Sequence, residues 1–204
     1  MKTLDQTPEG RDSPLRRLAL WLLRLVGWKT VLVWPPEPRG LLLVYPHTSN
    51  WDFPIGVLFR IGHGLPANWI GKVQMFPRPF RGLLERIGGI PVDRSRSTGF
   101  VDAMLGEFRR RSWMWVAITP EGTRSYTDHL KSGFYQLALA ADVPVGLACI
   151  DYGTRTASID TYVRFTGDEE RDLAMLREYY AGRRGLRPEL AGEIRFRRGS
   201  GSSG

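Results

Sequence analysis

Leu41-Leu42-Leu43-Val44-Tyr45, then Pro46-His47-Thr48-Ser49-Asn50-Trp51-Asp52, then Phe53 to Ile61 form the most informative stretch of the chain. Five consecutive apolar residues are too few for a helix and suit a strand buried on both faces. The polar segment that follows is a loop at the strand's end. The next nine residues read as a helix, which Asn50 or Asp52 can start. The unit is therefore strand, loop, helix, with a histidine and an aspartate in the loop.

The same alternation continues on either side. Trp69 to Ile70, Ile90 to Val92, Trp113 to Ile118 and Pro144 to Ile150 read as strands. Pro79 to Ile87, Thr98 to Arg111, Gly133 to Ala141 and Glu169 to Ala181 read as helices. Such alternation predicts an α/β fold: a single domain with a largely parallel central sheet flanked by helices. Thr156 to Phe165 alternates apolar and polar residues, as a half-buried edge strand does.

Pro14 suits the first turn of a helix that runs through Leu15 to about Val26. Arg16, Arg17 and Arg24 gather on one side, with Leu15, Leu18, Leu22, Leu25 and Val26 on the other and Trp21 and Trp28 at the border. This amphipathic pattern fits a helix lying in an anionic membrane interface, and equally one packed on its own domain. Its apolar stretch falls short of the roughly 20 residues that span a bilayer. The chain divides into a polar lead with this helix (1–30), the main domain (31–198) and a glycine and serine tail (199–204). The tail spells G-x-G-x-x-G, but no strand precedes it and no helix follows, so it is no dinucleotide site.

Across 204 residues, 42% are hydrophobic, enough for one core. Lys plus Arg number 29 against 21 Asp plus Glu, a formal charge of +8, which favours anionic partners. The basic residues are scattered and form no nucleic-acid module, so no nucleic acid is expected. Cys149 is the single cysteine, which excludes an intrachain disulfide and suits a reducing cytoplasm. It lies within an apolar run and is read as core. His63 and His129 read as capping or surface residues, and no metal-ligand spacing is present.

Three loops carry candidate chemistry. In the first, Asp52 is close enough to orient one nitrogen of His47, freeing the other to take a proton from a hydroxyl. In the second, Gly88-Gly89-Ile90-Pro91-Val92-Asp93-Arg94 places a planar guanidinium, suited to phosphate, after a brief strand. In the third, Thr119-Pro120-Glu121-Gly122-Thr123-Arg124 follows the strongest strand, and Thr123 and Arg124 can bond an anionic oxygen. Lys72, on the loop expected after the Trp69 strand, and Lys131 are further cationic candidates, each also readable as surface charge.

The ordered set of His47 with Asp52, Gly89 to Arg94, Glu121 to Arg124 and Val143-Pro144-Val145 resembles the glycerolipid acyltransferases, the lysophosphatidate acyltransferases and their relatives. Pro46 stands where those proteins often have asparagine, and Pro91 where they often have phenylalanine. The resemblance implies a peripheral membrane enzyme on the cytoplasmic face that moves a fatty-acyl group from acyl-coenzyme A or acyl carrier protein to a lysophospholipid hydroxyl, most often that of 1-acyl-glycerol-3-phosphate. It implies His47 and Asp52 as a general-base dyad, Arg94 and Arg124 as phosphate ligands, and Glu121, Gly122 and Thr123 as pocket residues, beside which Lys72 stands as a further substrate-binding candidate. It implies no cofactor beyond the thioester substrate. A lipase- or thioesterase-like hydrolase using the same dyad, or a basic membrane- or nucleic-acid-binding module, are the rival readings.

Overall fold

The computed structural model describes residues 13–92 and 97–197. Seven strands form one sheet: β1 (Lys29–Leu32), β2 (Arg39–Val44), β3 (Ala67–Lys72), β4 (Gly89–Val92), β5 (Met114–Ile118), β6 (Val145–Asp151) and β7 (Thr156–Val163). Their order is β1-β7-β6-β2-β5-β3-β4, and every neighbouring pair is parallel except β6 with β7. Among the described residues six α-helices accompany it: α1 (Pro14–Leu25), α2 (Asp52–His63), α3 (Arg81–Arg86), α4 (Ser97–Arg110), α5 (Gly133–Ala141) and α6 (Glu169–Tyr180).

The apolar runs are continuous because both sheet faces are covered. Leu41 and Leu43 join Val116, Val145 and Leu147 in a core shared with Met104, Leu137 and Leu176 of α4, α5 and α6. Leu42 points the other way, with Trp115, Ala148 and Ile159, and meets Leu23 of α1 and Ile55 and Phe59 of α2. The predicted α/β class and largely parallel sheet are observed.

Two strands differ from expectation. Thr156–Val163 is an interior strand, flanked by β1 and β6, rather than an edge. Only a tight turn, Tyr152 to Arg155, links β6 to β7, and so short a link forces an antiparallel pair. The true edges are β1, which the sequence pattern did not reveal, and β4, where Pro91 is tolerated because an outermost strand leaves one side of the backbone unpaired.

Helix α1 starts where Pro14 predicts, with the Ser13 hydroxyl accepting from the Arg16 N–H at 3.3 Å. The packed reading holds for one of its faces. Ala19 and Leu23 are buried against the domain, and α1 packs on α2. Leu15, Leu18, Trp21, Leu25 and Val26 remain exposed. Among the described residues no helix is long and apolar enough to cross a membrane.

Candidate active site

The central strand β2 ends at Val44, and His47 follows on the loop at its carboxyl end, between neighbours β5 and β6. Ligands bind in α/β folds at the crevice above the strand ends. Asp52 opens α2, where the helix dipole favours a negative charge. The turn between them brings His47 Nδ1 to 2.9 Å from Asp52 Oδ2, a distance that pairs the groups although the ring is turned off the line of an ideal hydrogen bond. The His47 side chain keeps 12% exposure and that of Asp52 only 3%. Asp52 Oδ2 also accepts the Ser49 N–H at 3.1 Å, and Oδ1 accepts the Tyr152 hydroxyl at 2.8 Å.

Glu121, on the loop after β5, is fully buried and reaches the same place. Its Oε2 accepts the backbone N–H of His47 at 2.8 Å, and its Oε1 that of Gly192 at 3.3 Å. Burial raises its pKa, opposed by those two N–H donors. The Tyr45 hydroxyl donates to the Gly192 carbonyl at 2.7 Å, and burial with the nearby Glu121 charge pushes that phenol up to about 12. The histidine loop is thus tied to the third loop and to the C-terminal segment through one carboxylate.

Gly122 takes φ +66°, a conformation that disfavours any side chain, and Lys131 occupies the space above it: a Cβ there would lie 2.7 Å from Nζ. Thr123 and Arg124 are exposed, and with Gly122, His47 and Asp52 they line the opening of a channel. The channel has a volume of about 410 Å³ and continues beneath α2. Gly56 and Phe59 form its roof, and Leu42, Val44, Ala148 and Ala157 contribute to its floor.

Lys72 is the last residue of β3, not part of a loop, with its backbone paired to Val92. Arg94 lies outside the described residues. His63 sits at the far end of α2 against Phe59, its pKa lowered by burial and then by Arg16. His129 pairs with Asp128 at 2.6 Å away from the dyad. The Cys149 thiol is buried in β6 and pushed up to about 12, chiefly by burial, so it is a poor nucleophile. Among the described residues no cluster of acidic, histidine or cysteine side chains could hold a metal ion.

Sequence reasoning missed Tyr152 and the small residues of the channel. Tyr152 lies 100 residues from Asp52 on the β6–β7 turn, and nothing in the local pattern marks it. Gly56 interrupts a helix that needs no glycine for its backbone, which is a usable signal that another group requires the space.

Fold and site together define an α/β enzyme that pairs an imidazole with a carboxylate at the opening of an apolar channel. A family model for acyltransferases matches residues 35–150, more than half of the chain and the whole of the dyad and third-loop region. The chain belongs to the acyltransferase family, and the protein is an acyltransferase. Its structure is similar to the crystal structure of the 1-acyl-sn-glycerophosphate (LPA) acyltransferase PlsC from Thermotoga maritima, with a TM-score of 0.50 and 18% identity over 81% of this chain and 73% of that one. No curated protein matches the sequence.

Proposed function

We propose that this enzyme transfers a fatty-acyl group from a thioester, acyl-coenzyme A or acyl carrier protein, to the hydroxyl of a lysophospholipid, with 1-acyl-glycerol-3-phosphate as the preferred acceptor. The observation that carries this reading is the position of His47 at the opening of an apolar channel beneath α2, beside the exposed Arg124. The channel takes the acyl chain, and its opening takes the polar reacting end.

Asp52 holds Nδ1 of His47, leaving Nε2 to accept the proton of the acceptor hydroxyl as its oxygen attacks the thioester carbonyl. The carbon–sulfur bond then breaks, and the imidazolium returns its proton to the departing thiolate. The substrate hydroxyl takes the place that a serine holds in hydrolases, so no acyl-enzyme forms. Arg124, together with Arg94 and Lys72, receives the acceptor phosphate, while Gly122 and Thr123 shape the ground between phosphate and base. Glu121 fixes the backbone of the base.

Helix α1 supplies the contact with the bilayer. Leu18, Trp21 and Leu25 lie at helical spacing on one exposed stripe, and the exposed Arg17 and Arg24 flank it, as suits anionic lipid headgroups.

The decisive experiment offers purified protein a panel of acyl-coenzyme A and acyl carrier protein thioesters against a panel of lysolipids and identifies products by mass. Phosphatidate formed from 1-acyl-glycerol-3-phosphate by wild type and lost in a folded His47→Ala variant supports the reading. Thiol release without added acceptor would replace it with a hydrolase, and turnover by His47→Ala would remove the base.

A further inference from the structure

We infer that Tyr152 is a positioning residue of the acyl-transfer site, the third member of a His47–Asp52–Tyr152 relay. The inference rests on the dyad reading above.

The aspartate at the start of α2 is buried, so each of its lone-pair directions needs a partner. Oδ2 accepts the Ser49 N–H and stands 2.9 Å from His47 Nδ1. Oδ1 receives the phenol of Tyr152 at 2.8 Å. With that bond the carboxylate plane is fixed at both oxygens. Without it Oδ1 is an unfilled acceptor, and rotation about the last side-chain torsion lets the two oxygens compete for the imidazole.

Tyr152 is itself held at three points. Its backbone N–H donates to the Arg184 carbonyl at 2.8 Å. Its ring meets the buried Trp28 edge-on, with centroids 5.0 Å apart and planes at 88°. Its hydroxyl is at Asp52. Burial, then the bond to Asp52 and the charge of that carboxylate, raise the phenol's pKa well above the ordinary value, with the Ser49 hydroxyl opposing, so Tyr152 stays a neutral donor throughout the working range. Trp28 follows α1 directly, so the relay's outer member is braced by the segment that joins the N-terminal helix to β1.

A phenol that only filled a hydrogen bond would affect stability. One that sets the carboxylate's orientation and charge density affects turnover and its pH dependence. The titratable groups around Asp52 are His47 and Tyr152, with Glu121 also acting electrostatically on the pair. Removing the phenolic donor leaves more charge on the oxygen facing His47, which favours the imidazolium, so the acidic limb of kcat/KM moves to higher pH.

The test measures Tyr152→Phe, His47→Ala and wild type with acyl-coenzyme A and acyl carrier protein thioesters, each offered with 1-acyl-glycerol-3-phosphate. Tyr152→Phe is expected to lose roughly tenfold or more in kcat, the scale of a hydrogen bond to a charged group, with KM for both substrates within about twofold and the acidic limb displaced upward. Wild-type kcat with an unmoved limb overturns the inference, as does a lowered melting temperature accompanied by unchanged kcat and pH profile. If Phe does not fold at this position, Tyr152→3-fluorotyrosine keeps the ring and strengthens the donor, and the limb then moves to lower pH; an unmoved limb again overturns the inference. A His47→Ala enzyme that still turns over defeats the dyad itself, whereas a dead His47→Ala beside a normal Tyr152→Phe defeats only the relay.

Discussion

Gly56 tests the channel without touching the dyad. It lies one helical turn after Asp52 on α2 and lines the channel, and a Cβ built there meets nothing within 4 Å. Gly56→Leu therefore starts a four-carbon side chain from an unobstructed Cβ position on the channel wall. If the channel receives an acyl chain, those carbons displace about four methylenes from apolar burial, at about 0.8 kcal/mol each. The loss is about 3 kcal/mol, or roughly 100-fold in kcat/KM for long-chain donors. Acyl groups too short to reach Gly56 lose little. The fold responds in the opposite sense, because glycine inside a helix costs about 1 kcal/mol relative to a good helix former, so the variant melts about 2 °C higher or more. The assay is kcat/KM across a donor series of increasing chain length with one fixed acceptor, alongside a thermal melt. Long-chain kcat/KM within a few-fold of wild type, in a protein of equal or higher melting temperature, would show that the chain lies elsewhere.

Two other perturbations address separate parts of the argument. Glu121→Gln leaves either the His47 or the Gly192 N–H facing an amide donor, which destabilises by about 1–3 kcal/mol. Since the folded pKa of Glu121 is raised above its unfolded value, its stabilising contribution is complete below about pH 4 and is lost as pH rises through the folded value. Urea melts from pH 4 to 7 should show wild type losing ground to the variant as pH rises; a difference that stays flat or grows in the other direction contradicts the assignment. Paired Trp21→Ser and Leu25→Ser replacements on α1 should weaken cosedimentation with anionic vesicles by about 2–3 kcal/mol, roughly 30- to 100-fold, with little change in melting temperature because both side chains are exposed. Undiminished cosedimentation assigns the membrane contact to another surface.

The fold class was legible because three strands advertise themselves. β2, β5 and β6 are covered on both faces, and their residues are apolar without alternation. β1 sends no such signal. Its four residues are half-exposed on one side and open on the other, as an edge requires, so nothing distinguishes them from a connecting segment. The alternation in Thr156 to Val163 was real, but it does not mark an edge. Its inward residues Ala157 and Ile159 face the α1–α2 layer, while Asp160 is satisfied on the other side by the Tyr179 hydroxyl and Arg183. A polar position that looks solvated in the sequence can be a bonded position under a helix.

The site divides by sequence distance. His47 and Asp52 share one turn, so their pairing follows from chain geometry once the loop is placed at a strand end. Glu121 was visible as part of a loop that shapes a pocket, yet what it bonds is the backbone of the histidine, 74 residues away. That contact depends on β2 and β5 being parallel neighbours whose ends stand side by side, and only the assembled sheet supplies this. Tyr152 depends on a departure from the βα alternation, the direct turn from β6 into β7. Had β6 been followed by a helix, as β2, β4 and β5 are, position 152 would lie in the connection to that helix; the tight turn into an antiparallel β7 instead keeps the phenol beside the strand ends, within reach of Asp52. The irregular connection is thus the structural reason that a third side chain can complete the carboxylate, and a sequence read by its periodicities passes over it for the same reason.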